Sequence, residues 1–374
     1  MKAKILIVSN NAHFFSSPRY GLAKGLQELG YEVCIACPPS MERNQTIVDG
    51  FQFYAIPLHR GSLNPWKELK LTWSFYQAYK KINPDIIHHF GIKTIIWGNF
   101  AAKFIPKPLV VNTPTGLGYV FTNSSKKAKL LKILVLKLYR WALDRPHSFL
   151  IFQNPDDKYF FEQQGLIQKQ EAFIVKGSGV DPTDYPMAPE PEGKPIVILP
   201  ARLLWDKGVQ EFVDAARQLR SKGVNARFAL VGEIDPQNPA TVTQKQLDTW
   251  VTEGVIEDWG WQKNMVDIFQ KAHIVCLPSY REGIPKALLE AASCGKPIVT
   301  TDAPGCREVV IDGLNGYLVP VKDSTLLAER LLALITNPAL RNEMGKYGRE
   351  RIIAEFSTEK VIAETVALYQ QAYL

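Results

Sequence analysis

The segment Arg281-Glu282-Gly283-Ile284-Pro285-Lys286-Ala287-Leu288-Leu289-Glu290 sets two carboxylates around a Gly-Ile-Pro turn. An ionised carboxylate is an acceptor-only group suited to paired hydroxyls, such as those of a sugar ring. Between Glu282 and Glu290, the backbone N–H groups and positive dipole end of a starting helix suit a diphosphate. One carboxylate would then take a hexose and the other a ribose. The plainer reading makes Glu282 a helix cap and Glu290 a solvated helix residue.

A second segment, Pro200-Ala201-Arg202-Leu203-Leu204-Trp205-Asp206-Lys207-Gly208-Val209, brings two cations to the end of an apolar run. Arg202 and Lys207 in that position would neutralise a diphosphate leaving group as a glycosidic bond breaks. Isolated loop cations are usually surface charge, but these share a strand-end rim with the Glu282 loop. The turn-rich loop from Gly232 through Asp235 to Pro239 and the segment Asp302–Glu308 follow other strands onto the same rim.

Both carboxylates and both cations need a strand–loop–helix frame. Ala272–Pro278 is a short apolar run suited to a buried parallel strand, and Ala287–Ala292 is rich in helix formers, with Pro285 fitting a first turn. Such alternation runs along the whole chain. In the first half, strands are predicted at Lys4–Val8, Glu32–Ala36, Phe51–Ile56, Asp85–His89, Leu109–Asn112, Ser148–Gln153 and Ala172–Val175, with helices such as Tyr20–Leu29 and Trp66–Ile82 between them. In the second they are predicted at Ile196–Leu199, Ala226–Val231, Val255–Ile256, Ile274–Leu277, Pro297–Thr300 and Tyr317–Val319. The expected fold class is α/β, with two Rossmann-like doubly wound domains facing across a cleft and ligands at the carboxyl ends of the strands. Residues 1–180 and 196–355 are the expected domains, and the Pro-rich residues 181–195 the expected linker. Neither first strand is followed by GxGxxG, which argues against a dehydrogenase.

Composition narrows the class. No run of about 18 apolar residues exists to span a bilayer, and the short apolar start reads as a strand, so a cytoplasmic protein is expected. Five cysteines argue against a disulfide framework, and Cys34 and Cys37 fall within a strand, where residues three apart point to opposite faces. Residues 1–180 hold 23 Lys+Arg against 11 Asp+Glu, and residues 181–374 hold 21 against 26, so the net charge of +7 comes from the first half. Nucleic acid, an anionic membrane surface and a diphosphate-bearing lipid all fit that charge. Ser124–Leu143 concentrates it, with Lys126, Lys129, Lys137 and Arg140 on one side of a helix that is otherwise mostly apolar. It is either a core helix with one basic face or an interfacial segment resting on anionic lipid.

Glu282 followed by seven residues and Glu290, with Gly295-Lys296-Pro297-Ile298-Val299 and Asp312-Gly313-Leu314-Asn315-Gly316-Tyr317-Leu318-Val319-Pro320 behind, resembles the retaining glycosyltransferases of family four. Ala201–Gly208 extends the match over most of the second domain. The resemblance implies the GT-B fold and places the donor in the second domain. Arg202 and Lys207 would hold the diphosphate. Glu282, with Gly283, Ile284 and Pro285, would hold the donor sugar, Glu290 the ribose, and Leu289 and Gly232 would complete the donor site. Ser62-Leu63-Asn64-Pro65, Thr115–Phe121 and the Asp235–Pro239 loop resemble a branch of bacterial N-acetylgalactosaminyltransferases acting on polyprenyl-diphosphate-linked sugars.

The resemblance therefore implies a UDP-sugar donor, a lipid-linked or glycan acceptor in cell-surface polysaccharide or glycoconjugate synthesis, a peripheral site on an anionic membrane, and no nucleic acid. No DxD-type motif stands on the rim, so no metal or cofactor is expected. Residues 356–374 are expected to form a helix returning to the first domain. The sequence departs from the family after the first strand, where Ser9–Arg19 lacks a Gly-Gly pair, and at Thr113-Pro114-Thr115-Gly116, which lacks a His. Asn11, His89, Thr115 and Gly116 are the acceptor-side candidates, with His88 and His89 either replacing the missing His or serving structurally. The rival classes are another GT-B enzyme, such as a sugar-nucleotide epimerase, and a non-catalytic sugar-binding protein.

Overall fold

A computed structural model describes residues 2–10, 18–39, 49–59, 62, 64–116, 121, 126–167, 171–236 and 238–373. Two units emerge: Met1–Gly179 with Thr358–Leu374, and Val180–Ser357.

The first unit is built on the parallel strands β1 (Lys4–Ser9), β2 (Glu32–Cys37), β3 (Gln52–Ala55), β4 (Ile86–Phe90), β5 (Leu109–Thr113), β6 (Ser148–Phe152) and β7 (Glu171–Ile174), in the order β3-β2-β1-β4-β5-β6-β7. Continuous apolar runs suit strands covered on both faces, because alternate side chains serve opposite layers. Ile5 and Ile7 of β1 pack in the layer holding Leu22 and Leu26 of the helix Pro18–Glu28 and Val361 and Tyr369 of the helix Thr358–Tyr373. Leu6 and Val8 pack in the opposite layer, with Leu71 and Phe75 of the helix Pro65–Ile82. That layer continues under the helices Ile92–Ala102 and Lys126–Leu143, which bury Ile95, Val135 and Tyr139 against Leu150 and Phe152 of β6. Asn64 and Pro65 start a helix: Asn64 Oδ1 accepts from Trp66 N at 3.0 Å and Pro65 opens the first turn.

The second unit carries β8 (Ile196–Pro200), β9 (Arg227–Val231), β10 (Glu257–Asp258), β11 (Ile274–Leu277), β12 (Ile298–Thr301) and β13 (Gly316–Val319), in the order β10-β9-β8-β11-β12-β13, again parallel. The strand predicted at Val255–Ile256 lies two residues later, because Ile256 is buried in the core and the ladder to β9 uses Glu257 and Asp258. Strand order reverses at β1/β4 and at β8/β11, and crevices at the carboxyl ends of such pairs are where doubly wound sheets bind ligands.

Residues 181–195 do not form a linker; they strap onto the second unit. Tyr185 donates to Glu290, Glu190 pairs with Arg341, and His273 accepts from Ile196 N and reaches Pro191 O at 3.0 Å. Buried partners outweigh the extended tendency of the prolines.

Candidate functional site

β8 ends at Pro200 and feeds Arg202, a short turn at Trp205–Lys207, and the helix Val209–Ser221. Gly208 makes that turn possible: its φ is 72°, and a Cβ there would lie 2.1 Å from Pro278 O. The close approach locks the Lys207 turn to the end of β11. Tyr280 N donates to Asp206 O at 2.9 Å, and Ser279 Oγ reaches Asp206 O at 3.1 Å. Gly232, ending β9, completes the floor, since a Cβ there would lie 2.0 Å from Ala201 O.

Lys207 Nζ consequently stands 2.5 Å from Glu282 Oε1, and Ser279 Oγ donates to the same oxygen at 2.8 Å. The pair is half-buried, so its charges are weakly screened and firmly oriented. Glu282 is fixed from behind, as its N–H donates to Pro304 O at 2.9 Å. Gly283 is partly accessible, while Ile284 and Pro285 are buried. Pro285 is the N-cap and the helix runs Lys286–Ser293, one residue later than the sequence suggests. Its opening N–H groups lack intrahelical partners, which gives this loop an anion-attracting end.

Arg202 is half exposed and pairs with Asp235, Nη1 to Oδ2 at 2.6 Å. Glu290 is not a solvated helix residue: it is 4% exposed, and its Oε1 accepts from Tyr185 OH at 2.5 Å and Lys286 Nζ at 2.6 Å. Burial, then the Glu290 charge, raises the Tyr185 pKa and keeps the phenol a donor. Leu289, expected in the donor site, turns its side chain away from it. It is fully buried in the core and its N–H bonds Pro285 O, so it packs beneath the site. Beside this loop, burial followed by the Glu282 charge pushes the Cys306 thiol up to about 12, which favours its protonated form.

Sequence reasoning missed Ser279 and Tyr185. Ser279 had a signal, a lone hydroxyl where β11 leaves the sheet. Tyr185 had none, since its partner lies 105 residues away.

In the first unit, Asn10 crowds Gly91 after β4, and Gly91 N donates to Thr113 O at the end of β5. Thr115 and Gly116, partly accessible, continue this edge; Asn11 lies outside the described residues. His89 does not serve an acceptor. It is fully buried, with Nδ1 at 3.0 Å from Asn112 Oδ1 and Nε2 at 2.8 Å from Tyr79 OH. His88 is likewise spanned by Tyr369 OH at 2.6 Å and Thr113 Oγ1 at 2.7 Å. Among the described residues, no group of three or more His, Cys, Asp or Glu is arranged to hold a metal ion.

The model of Glycosyl transferase 4-like proteins matches residues 4–154, and that of Glycosyl transferases group 1 matches residues 183–351. The chain is 31% identical over 342 residues to the N,N'-diacetylbacillosaminyl-diphospho-undecaprenol alpha-1,3-N-acetylgalactosaminyltransferase of Campylobacter jejuni, covering 88% of each chain. The chain belongs to the family-four glycosyltransferases. A further relative of this glycosyltransferase is the UDP-Gal:alpha-D-GlcNAc-diphosphoundecaprenol alpha-1,3-galactosyltransferase of Escherichia coli, 24% identical over 91% of this chain and 89% of that one. The fold is GT-B. Sucrose-phosphate synthase of Thermosynechococcus elongatus superposes with a TM-score of 0.84 at 19% identity, covering 99% of both chains. Anabaena HepE, crystallised with UDP, superposes at 0.79 and 17% identity, covering 98% of this chain and 100% of that one. The glycosyltransferase is thus an enzyme, and among its described residues no helix is long and apolar enough to cross a membrane.

Proposed function

We propose that this glycosyltransferase moves an N-acetylhexosamine from a UDP-sugar, with retention at the anomeric carbon, onto a lipid-linked or glycan acceptor at an anionic membrane surface. The product would enter cell-surface polysaccharide or glycoconjugate synthesis. The observation that carries the reading is the Lys207–Glu282 pair at the β8/β11 crevice, a cation and a carboxylate side by side where a helix begins. The Campylobacter and Escherichia relatives, named for sugars on diphosphoundecaprenol, support the acceptor class. HepE, crystallised with UDP and with UDP-glucose, supports the donor class.

The chemistry follows from those groups. The bond between the anomeric carbon and the β-phosphate oxygen breaks as the acceptor hydroxyl oxygen bonds the same face of that carbon. The hydroxyl proton passes to a phosphate oxygen. Lys207 and Arg202 offset the charge growing on the departing UDP, and the fixed position of Lys207 strengthens that effect. Arg202, half exposed, exchanges the Asp235 carboxylate for the diphosphate, one anion for another, at little cost. Glu282 and the backbone from Gly283 to Pro285 orient the donor sugar. Glu290, with Oε1 held by Tyr185 and Lys286, offers its second oxygen to the ribose. Thr115 and Gly116, partly accessible beyond the end of β5, are the acceptor-side groups of the first unit.

The two cations supply the charge that a divalent ion supplies elsewhere, so turnover needs no added metal. Thermal stabilisation by a panel of UDP- and GDP-sugars, then turnover with and without EDTA, tests this. Stabilisation by a UDP-N-acetylhexosamine and EDTA-insensitive transfer are expected. A preference for GDP-sugars, or abolition of turnover by EDTA, would contradict it.

A further inference from the structure

The first unit leaves large apolar side chains in water along two of its helices. On Pro65–Ile82, Trp66, Leu69 and Trp73 follow i, i+3, i+7 spacing and form one stripe; each is more than half exposed, Trp66 at 79%. On Lys126–Leu143, Leu130, Ile133, Leu134 and Trp141 are also more than half exposed, on the face that presents Lys137 and Arg140. The basic face and the apolar face of that helix are therefore the same face. A core helix would have turned these residues inward, as it does Val135 and Tyr139.

The two stripes are joined. The helices Pro65–Ile82 and Lys126–Leu143 both pack against Ile92–Ala102. Trp73 meets Tyr76 at 5.3 Å, and Tyr76 meets the exposed Phe104 edge-on at 6.3 Å. Beside Phe104, Lys103 Nζ lies 4.1 Å over the Trp141 ring. An aromatic seam thus crosses from one helix to the other.

Charge selects the occupant. Residues 86–143 contain no Asp or Glu and nine Lys or Arg. On Pro65–Ile82 the lone acid, Glu68, is buried and paired with Lys93 at 2.6 Å, while Lys67, Lys70, Lys80 and Lys81 are exposed. Tryptophans with an apolar body and a polar N–H, ringed by long basic side chains, match the boundary between headgroups and acyl chains. A protein partner would have to match both stripes with its own apolar and acidic groups, whereas an anionic bilayer offers acidic headgroups over apolar depth along its whole surface.

We infer that the helices Pro65–Ile82 and Lys126–Leu143, bridged by Phe104 and Lys103, form a docking face for an anionic lipid bilayer, with Trp66, Trp73 and Trp141 entering its interface. The inference names the partner of the first unit and rests on the reading of a membrane-borne acceptor. Apolar insertion distinguishes it from simple charge attraction, which salt screens beyond a Debye length of about 10 Å at 0.1 M.

The test is sedimentation of the full chain with phosphatidylglycerol–phosphatidylcholine vesicles and with pure phosphatidylcholine, alongside quenching of tryptophan fluorescence by brominated acyl chains. Binding is expected only with the anionic vesicles, with quenching. The double variant Trp66→Ser, Trp73→Ser should weaken it by about tenfold or more. Thermal stabilisation by UDP-sugar and transfer to a short-chain soluble acceptor should be unchanged in that variant, so a failed transferase reading is recognised separately. Absence of vesicle binding, equal binding by the variant, or loss of self-association on light scattering as its only effect would overturn the inference.

Discussion

Lys207 Nζ and Glu282 Oε1 lie 2.5 Å apart across 75 residues of sequence, and Ser279 shares the same carboxylate oxygen. Neither charge is positioned by its own side chain alone. The turn at Gly208 and the exit from β11 hold each other, so the two charges arrive as a unit.

Lys207→Ala and Glu282→Gln should each lower kcat/KM by about 10²–10³-fold, the usual cost of a lost preorganised electrostatic contact. Because the pair is coupled, the double variant should lose much less than the product of the two losses. Arg202, half exposed, should behave differently: Arg202→Ala should raise the donor KM while leaving the melting temperature almost unchanged. Steady-state kinetics and thermal shift on the same preparations check both statements.

Tyr185→Phe removes a donor from the buried Glu290 carboxylate. A stability loss of about 1–3 kcal/mol is expected, since a buried acceptor loses its partner. The donor KM should rise with kcat little affected, because Tyr185 acts through Glu290 rather than on the reacting atoms. An unchanged KM would mean that Glu290 is structural.

Acid should destabilise the first unit through its paired histidines. Burial holds His89 neutral and lowers its pKa to about 4, and burial together with His89 and Arg19 lowers His88 well below its ordinary value. The folded pKa is below the unfolded one, near 6.5, so the contribution is full above about pH 6.5 and is lost as pH falls through about 4. The melting temperature should therefore fall between pH 7 and pH 4.5, and His89→Gln should flatten that fall. A variant with the wild-type pH dependence would contradict the assignment.

Much of this was legible in the residues. The strands lie close to the predicted positions because parallel strands buried on both faces read as short apolar runs, Ile274–Leu277 being an example. The Lys207 and Glu282 segments could be recognised because each sits where an apolar run ends. What stayed hidden depends on distant contacts: Tyr185 on Glu290, and Tyr369 on His88 across 281 residues. The basic helix Lys126–Leu143 could be read either way, because periodicity shows a stripe but not which side meets the core. The tryptophan stripe on Pro65–Ile82 has the same ambiguity.

The proposed reaction is retaining transfer from a UDP-sugar to a lipid-linked sugar. The direct measurement is the anomeric configuration of the product formed from UDP-N-acetylgalactosamine and a polyprenyl-diphosphate-linked sugar, read by the anomeric proton coupling in NMR. The expected result is an α-linked disaccharide with one UDP released for each sugar transferred. A β-linked product, or free sugar with no transfer, would rule out retaining transfer.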